Sequence, residues 1–428
     1  MAASKPLWGG TALESVGFGR GSNSAQLRRY NERLVLQRLR RAGEASKADL
    51  ARAADLTNTA IGAIIQKLED QSLIVSVGKR HDGGRGQPAT LLRLNPQGAY
   101  GIGVRLDRRS IETILIDFAG HAIARRAYDI VLPRPQEALA LVVRDIRELL
   151  ALLDRPARER FAGVGLALPY NLGAWLGRLD LPPETFAPWD EVDFARLLQE
   201  ATGLPVSCEN DGNAAAIAEL FYGVGRRLDD FLYLFVGPAI GGGVVTGGDL
   251  LRGSHGNAGD VAVMPVGPSR LASAPRPPAS GELLITRASL TALDRHLAAA
   301  GLAVGAPADA EAAFLAGHPA VTEWLEDAVD ALTPSIWTAM ALLDVPVVVL
   351  DADIDAGLVD ALIARLGAQL AAEAPEARRP PRLVHGSFGR DAGAIGAASL
   401  PMFYSFSPRA SILMRASDER GMRETLAG

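Results

Sequence analysis

The sequence predicts an α/β body of two similar lobes that follows a small, basic, helical head. Charge separates the two parts: the first 95 of the 428 residues carry 15 Lys and Arg against 8 Asp and Glu, whereas the remainder carries 29 against 41. Apolar residues recur at helical spacing in the first part. In the second part, strands cluster and then alternate with helices, and this scheme occurs twice. A positive head on an acidic body favours a polyanion as the partner of the head.

Composition narrows the class of protein further. Residues 1–23 are rich in Gly and Ser, and we expect a flexible tail without a secretory signal. No apolar run reaches the ~18–20 residues that a membrane-spanning helix needs. Cys208 is the only cysteine, which excludes an internal disulfide and a cysteine-cluster zinc site. These features predict a cytoplasmic protein with no membrane contact.

Three short helices are predicted in the head, which covers residues 24–96. The first spans residues 25–41 and ends at AGEAS. Ser46 then begins a second helix, with Asp49 three residues later as in a capping box. Thr57 caps a third helix, TNTAIGAIIQKLEDQSL. The predicted apolar face of the first helix consists of Leu27, Tyr30, Leu34, Leu36 and Leu39, with arginines on the other face.

Two strands follow the third helix and enclose the Gly-rich stretch HDGGRGQPA. Three helices and a hairpin are typical of a winged helix-turn-helix, in which the N-terminal residues of the third helix face the bases of the major groove. Short polar side chains suit that position, and Asn58 can pair with adenine. Basic hairpin residues can reach phosphates or a narrow minor groove. The alternative is a helical interaction module with a solvated charged face. The predicted DNA contacts are Ser46, Thr57, Asn58, Thr59, Lys67, Lys79, Arg80, Arg85 and Gln87.

Residues 97–428 form the predicted body. GIGVRL, IETILIDFAG and AIARRAYDIVL are read as three consecutive strands, and a long amphipathic helix near 135–154 precedes the strand FAGVGLALP. A second series starts at DFLYLFVG and GGGVVTGG, and it continues with helices at about 320–342 and 356–374 and the strand VPVVVL between them. Ligands of such folds bind between the lobes, near strand ends and helix N-termini.

Five segments, in the family's order, resemble the transcriptional regulators of the ROK family (repressors, open reading frames, kinases). They are NERLVLQRLRRAGEASKADLARAADLT, GGRGQPATLLRLNP, PVSCENDGNAAAIAE, GGGVVTGGDLLRGSHGNAGD and FGRDAGAIGAA. The resemblance covers about residues 24–400. It implies an actin-like, ribonuclease H-like body of the sugar-kinase type, with lobes divided near 212–230 and a C-terminal segment that returns to the first lobe. It also implies assembly as a homodimer or homotetramer.

Kinases of this family need an aspartate that takes a proton from the sugar hydroxyl and a glycine-rich cradle for the ATP phosphates. By the resemblance, Asp211 stands at the position of the catalytic aspartate, but the cradle is altered in three places. Arg105 replaces an expected acidic residue, and Pro238, which has no N–H to donate to a phosphate, precedes IGGG. Asp351 and Asp353 occupy the adenosine-side turn, where carboxylates that face a nucleotide repel its phosphates. We therefore expect no cofactor, no ATP binding and no enzymatic activity.

The resemblance also implies a sugar site between the lobes. Val263 stands where the family has a zinc-binding His, and no cysteine follows, so no metal is expected. Sugar hydroxyls need several amide and carboxylate partners, because a buried hydroxyl without one costs about 1–3 kcal/mol. With the cradle altered, Asp211 is interpreted as a hydrogen-bond acceptor for a sugar. A capped helix N-terminus is the structural alternative for the segment END. The predicted sugar contacts are Asn210, Asp211, Asp260 and Glu282.

These features together predict a DNA-binding transcriptional regulator, by default a repressor of carbohydrate-metabolism genes, that binds a double-stranded operator. A small carbohydrate between the lobes of an inactive body is expected to control it by changing the spacing of the heads in a homo-oligomer. Two alternatives stay open: an active sugar kinase with a DNA-binding head, and a regulator controlled by a protein partner. The sequence leaves open the sugar, the operator and the sign of regulation.

Overall fold

The computed structural model describes residues 24–80, 89–173, 176, 181, 183–275, 282–302, 304, 307–375 and 378–414. The predicted tail (1–23) and the predicted DNA contacts Arg85 and Gln87 lie outside these residues. Within them, no helix is long and apolar enough to cross a bilayer.

The head contains three helices and a three-stranded antiparallel sheet. Its elements are α1 (Ser24–Ala42), β1 (Glu44–Ser46), α2 (Lys47–Ala54), α3 (Asn58–Asp70), β2 (Ile74–Arg80) and β3 (Ala89–Leu94). The strands lie in the order β1-β3-β2. The stretch AGEAS, interpreted above as a break between helices, therefore also supplies an edge strand that pairs with β3.

Side-chain caps begin the second and third helices, as the sequence predicts. The Ser46 hydroxyl accepts from the backbone N–H of Asp49 at 3.2 Å, and the Asp49 carboxylate accepts from the N–H of Ser46 at 3.1 Å. Thr57 accepts from the N–H of Ala60 at 3.2 Å. Each cap stabilises its helix by ~1 kcal/mol because it satisfies an N–H that the helix leaves unpaired. The predicted apolar face of α1 is wrong at Leu27, whose side chain is 47% exposed.

The first lobe is built on a five-stranded mixed sheet. Its elements are β4 (Tyr100–Asp107), β5 (Ser110–Asp117), β6 (Ala122–Tyr128), α4 (Pro135–Ala151), α5 (Arg155–Glu159), β7 (Phe161–Leu168), α6 (Pro183–Phe186), α7 (Phe194–Thr202) and β8 (Val206–Asn210). The strand order is β6-β5-β4-β7-β8. The first three strands pair antiparallel, and β7 and β8 extend the sheet in parallel.

The second lobe repeats this arrangement. Its elements are α8 (Asp211–Phe221), β9 (Phe231–Val236), β10 (Ile240–Thr246), β11 (Asp249–Leu250), α9 (Leu284–Ala288), α10 (Leu290–Ala299), α11 (Pro307–Leu315), α12 (Pro319–Leu343), β12 (Val347–Ala352), α13 (Ala356–Ala372) and β13 (Arg382–His385). Helices α14 (Ala392–Phe406) and α15 (Ser411–Met414) follow, and α14 returns to the first sheet. The order β11-β10-β9-β12-β13 has the same sequence of antiparallel and parallel pairs as the first sheet. The repeated strand scheme seen in the sequence therefore corresponds to two sheets of one topology.

Helix α14 lies against the first sheet, and α8 lies between α14 and strand β10 of the second sheet. Glycines permit this close packing: a methyl group on Gly103 or Gly165 would overlap the backbone of α14, and one on Gly396 would overlap Ala214 of α8. Because β8 leads directly into α8, the N-terminus of α8 opens at the carboxyl end of the first sheet, facing the second lobe.

Helix α1 of the head also packs on the body. The guanidinium of Arg40 lies 3.4 Å from the ring centroid of Phe221, and burial lowers the pKa of Arg40 to about 10. Arg226 donates to the carbonyl oxygen of Arg40 at 2.7 and 3.0 Å, and Arg41 forms an ion pair with Asp229. The sequence places Arg40 and Arg41 on the polar face of α1, and the structure shows that the body covers part of that face.

Candidate functional site

A cavity of about 360 Å³ lies between the lobes, at the end of β8 and the start of α8. Three of the four residues predicted to contact a sugar line it: Asn210, Asp211 and Asp260. Asn257, which sequence reasoning missed, lies among them. The sequence does contain a signal for Asn257, because it stands three residues before Asp260 in the Gly-rich segment GNAGD.

Two asparagines and a carboxylate form a hydrogen-bonded chain in this cavity. Asn210 caps α8, where its Oδ1 accepts from the N–H of Asn213 at 2.6 Å. Its Nδ2 donates to Oδ1 of Asn257 at 2.9 Å, and Nδ2 of Asn257 donates to Oδ2 of Asp260 at 2.9 Å. Asn210 thus has the capping role of the structural alternative and also faces the cavity. Amide and carboxylate groups placed together offer both donors and acceptors, which vicinal hydroxyls require.

Asp211 is the first residue of α8, and its Oδ1 accepts from the N–H of Gly212 at 2.9 Å. Within the described part of the chain, no hydrogen bond reaches its Oδ2. Burial raises the pKa of Asp211, repulsion from Asp107 adds to the shift, and Arg105 opposes it. Such a carboxylate can accept a hydrogen bond from a sugar hydroxyl or take its proton. Whether Asp211 can take a proton or only accept a hydrogen bond depends on the side of the cavity where the resemblance places the nucleotide phosphates.

Arg105 occupies the place where the resemblance puts the first phosphate loop. Its Nη1 donates to Oε1 of Glu112 at 3.1 Å, and its Nη2 donates to Oδ2 of Asp107 at 3.3 Å. The side chain is buried and rests on Gly393 of the segment FGRDAGAIGAA. Burial lowers the pKa of Arg105, but the surrounding carboxylates outweigh it and raise the pKa above its ordinary value. A fixed guanidinium with its own carboxylate partners therefore takes up space and charge at this side of the cavity.

The two other altered loops differ from each other. Pro238 lines the cavity, and its carbonyl oxygen accepts from the hydroxyl of Thr291 at 2.7 Å. Asp351 is fully buried and accepts from the N–H of Gly389 at 3.0 Å. The carboxylate of Asp351 therefore holds a backbone turn, and Asp351 is not among the described residues that line the cavity. Burial raises the pKa of Asp353 to about 6, and nearby arginines oppose the shift.

The structure does not bring Glu282 into the cavity, and this prediction is wrong. Its Oε2 accepts from the hydroxyl of Thr286 at 3.1 Å, in the turn that begins α9. A backbone bridge pairs Leu283 with Pro265, and Glu282 is not among the described residues that line the cavity. Among the described residues, no group of three or more His, Cys, Asp or Glu is arranged to hold a metal ion.

In the head, the predicted DNA contacts at the start of α3 share one exposed turn. Thr57, Asn58 and Thr59 are all exposed there. Lys79 is exposed on β2. Arg80 ends the same strand, and its side chain lies outside what the structure describes. The exposed turn thus presents hydroxyl and amide groups beside a basic strand.

Two other predicted DNA contacts have different partners. Ser46 is 3% exposed and its hydroxyl is used in the cap of α2, so the prediction that it contacts DNA is wrong. Lys67 lies near the C-terminal end of α3, and its Nζ donates to Glu32 at 2.6 Å, which offsets its charge. Sequence reasoning missed Lys47, whose Nζ lies 2.7 Å from where a β-carbon on Gly62 of α3 would stand.

Two lobes of one strand order, a polar cavity between them and a basic head define an actin-type, sugar-kinase-like α/β protein with an added N-terminal head. A model described as the ROK family matches residues 101–402, and the chain belongs to this family.

Relatives of the chain include both repressors and kinases. The chain is 27% identical to uncharacterized protein y4fQ of Sinorhizobium fredii, over 88% of this chain and 91% of that protein. It is 28% identical to a putative xylose repressor of Caldicellulosiruptor sp., over 57% of this chain and 60% of the repressor. The chain thus matches about three-fifths of that repressor's length.

Solved structures show the same fold. A ROK family transcriptional regulator, a homologue of the Escherichia coli MLC protein, aligns with a TM-score of 0.65 and 23% identity over 91% of this chain and all of that one. A ROK hexokinase from Thermus thermophilus aligns with a TM-score of 0.52 and 27% identity over 70% of this chain and 96% of the hexokinase. The regulator alignment extends over the head as well as the body, whereas the kinase alignment covers a length close to that of the body.

Proposed function

We propose that this protein is a transcriptional regulator, a repressor of carbohydrate-metabolism genes, whose affinity for DNA is controlled by a small sugar bound between its lobes. One observation carries the proposal. A ROK cavity that presents Asn210, Asp211 and Asp260 has Arg105 on its nucleotide side, in a chain that also has a basic three-helix head. The repressor names among the relatives support the regulatory role.

The head is proposed to bind DNA as a winged helix-turn-helix, with α3 in the major groove. Asn58 and the two threonines that flank it are exposed at the N-terminus of α3, where such helices contact bases. Lys47 lies beside this turn and Lys79 on the neighbouring strand, and both suit phosphate contacts. The start of α3 thus presents short polar side chains, and Lys47 lies next to Gly62 of the same helix.

The cavity is proposed to bind a sugar through Asn257 and the three predicted residues that line it. Their chain of amides and carboxylates is already hydrogen-bonded, so a ligand meets groups held in fixed positions. Preorganised polar groups lose little conformational entropy on binding, which favours affinity for a small, strongly hydrated ligand.

Phosphoryl transfer is proposed to be absent. Catalysis by a kinase depends on donors and cations that position the ATP phosphates. Here Arg105 is held by Glu112 and Asp107, and Pro238 offers no N–H at the second loop. The base, Asp211, is thus present without a phosphate cradle next to it.

The test is a nuclease footprint of the full-length protein on the DNA upstream of its own gene, at low salt, repeated with D-xylose, D-glucose and N-acetyl-D-glucosamine. We expect a protected site that one of the sugars weakens. Asn58→Ala should abolish protection, whereas Gln71→Ala, at the opposite end of α3, should retain it. Absence of protection by the wild type refutes the proposal, and a footprint that no sugar changes favours control by a protein partner.

An active sugar kinase is the second candidate, and Asp211 is the observation that favours it. A buried carboxylate with a raised pKa at the family's catalytic position suits a general base. The measurement is sugar-dependent ADP production at millimolar ATP and Mg²⁺. Turnover that disappears in Asp211→Asn would establish the kinase and overturn the proposed absence of catalysis.

A further inference from the structure

A buried carboxylate next to the cavity is not used by the cavity itself. Glu209 precedes Asn210 on β8 and is 1% exposed. It accepts a hydrogen bond from the hydroxyl of Tyr404 and forms an ion pair with Arg252, whose Nη2 lies 2.7 Å from Oε1 of Glu209. Burial raises the pKa of Glu209, and both partners oppose the shift. Besides Asn213, which is near it in the sequence, this carboxylate has two donors from distant parts of the chain.

One of these donors leads back to the cavity. Arg252 opens the loop that ends at Asp260, and its carbonyl oxygen accepts from the N–H of Ala258 at 3.1 Å. The same loop supplies Asn257, which holds Asn210 at 2.9 Å. A ligand that contacts Asn257 or Asp260 acts on a loop whose other end binds Glu209. The cavity is thus connected to Glu209 both along β8 and through this loop.

The second donor leads to the head. The carbonyl oxygens of Tyr404 and Ser407 accept from Nη1 of Arg33 at 3.1 and 3.3 Å. Arg33 lies on α1, and Arg409 covers the ring of Tyr404 with its guanidinium 4.6 Å from the ring centroid. The end of α14 therefore holds α1 with the same residue that binds Glu209.

Space for a movement exists beside Tyr404. A second cavity, of about 580 Å³, is lined by Tyr404, Arg252, Arg409 and Cys208, among others. Close-packed segments have few alternative positions, whereas a segment at a cavity wall has room to shift. The end of α14 at Tyr404 thus has room to shift, together with the carbonyl oxygens that hold Arg33, when the hydroxyl is released from Glu209.

We propose that Tyr404, bound to Glu209, is the positioning residue that couples the ligand cavity to the DNA-binding head. This inference rests on the proposed function. A ligand that draws the loop of residues 252–260 inward moves Arg252 relative to Glu209, releases Tyr404, and thereby shifts Arg33 and α1. Coupling of this kind requires that the ligand bind the two arrangements with different affinity. Tyr404 itself contacts neither ligand nor DNA.

The test uses the full-length variant Tyr404→Phe, which removes only the hydroxyl. Operator affinity is measured by fluorescence anisotropy with and without the sugar that weakens the wild-type footprint, and sugar affinity is measured by calorimetry. Typical coupling changes affinity by about 5- to 150-fold. We expect the variant to bind the sugar alone and the operator alone within about threefold of wild type, with the sugar effect on operator binding reduced to less than about twofold.

Two further variants make the outcome specific. Tyr222→Phe is the matched control, because the Tyr222 hydroxyl is also next to α14 and, among the described residues, has Sδ of Met402, at 3.8 Å, as its one hydrogen-bond partner; it should retain full coupling. Arg33→Met, which breaks the link at the head, should lose coupling as Tyr404→Phe does. Coupling retained in both Tyr404→Phe and Arg33→Met overturns the inference.

A double-mutant cycle separates this inference from the proposed function. Asn257→Ala perturbs the loop without any sugar, and we expect it to change operator affinity in the wild-type background but not beside Tyr404→Phe. If no sugar of the panel affects the wild type but this cycle shows coupling, the sugar proposal fails and the link stands. Equal effects of Asn257→Ala in both backgrounds, or none in either, refute the link.

Discussion

The substitution Asp211→Asn tests the sugar site most directly. It replaces a carboxylate whose Oδ1 is bound to the N–H of Gly212 and whose Oδ2 faces the cavity side of α8. A hydrogen bond to a charged acceptor contributes about 1.5–3 kcal/mol, which corresponds to about 10- to 150-fold in affinity. We therefore expect sugar affinity, measured by calorimetry at neutral pH, to fall by a factor in this range.

The stability of Asp211→Asn should not fall. Burial and Asp107 raise the pKa of Asp211 in the folded protein, so its charged form is less favourable there than in the unfolded chain. The wild type carries this cost at neutral pH, and the cost disappears as the pH falls from the raised pKa to the ordinary carboxyl value. An amide has no such cost, and the unfolding temperature of the variant at neutral pH should equal or exceed that of the wild type.

A matched control is Asp154→Asn, which alters another helix-starting aspartate whose Oδ1 accepts from the N–H of Ala157 at 2.8 Å. Asn caps helices about as well as Asp, so this variant should match the wild type in sugar and operator binding. Undiminished sugar affinity in Asp211→Asn would refute the role given to this carboxylate. Loss of operator binding in the absence of sugar would show that the substitution acts on the head instead.

Three further predictions concern stability. Burial, with repulsion from Asp309, raises the pKa of Asp294 to about 6, so the wild type should lose stability as the pH rises from about 4 to about 6. After solvent screening this loss is about 1 kcal/mol. Urea titrations over this pH range should show that Asp294→Asn lacks the loss. Arg105→Met removes a guanidinium from Asp107 and one of the two guanidinium partners of buried Glu112, which keeps Arg125. It should cost about 3 kcal/mol in urea unfolding, with no gain of ATP binding; an unchanged urea midpoint contradicts this ion-pair network. Gly367 lies in mid-helix, and the nearest atom to a new β-carbon there is 3.8 Å away, so Gly367→Ala should raise stability by about 0.5–1 kcal/mol. Gly165→Ala is the contrasting variant. Its β-carbon overlaps α14, and it should lower stability by several kcal/mol or prevent folding.

Local chemistry is what the sequence predicts best. The caps at Ser46 and Thr57 involve partners three residues away, so residue types alone fix them. The residue pattern predicts β4 to β7, β9, β10 and β12 but not β11 and β13, and the cavity position of Asp211 follows from the resemblance of its segment. These features need no knowledge of how distant segments meet.

Long-range placement is what the sequence does not predict. Glu209 and Tyr404 are 195 residues apart and meet only because α14 returns to the first sheet. Arg40 belongs to a polar helix face by pattern, and only the docked body explains why it is buried. The predicted sugar contact of Glu282 differs from the structure for the same reason. The position of Glu282 depends on the path of a loop, which residue types and spacing alone do not reveal.

The contact between α1 and the body limits how freely this head can be exchanged. Arg40 of α1 rests on the ring of Phe221 in α8, and α1 also contacts α14 and α15. A chimera that takes its head from a relative must therefore be joined after α1 if it is to retain this surface, since α1 belongs structurally to both parts. Diversification of operator recognition is then easiest within residues 47–94, whereas α1 must change in step with α8 and α14.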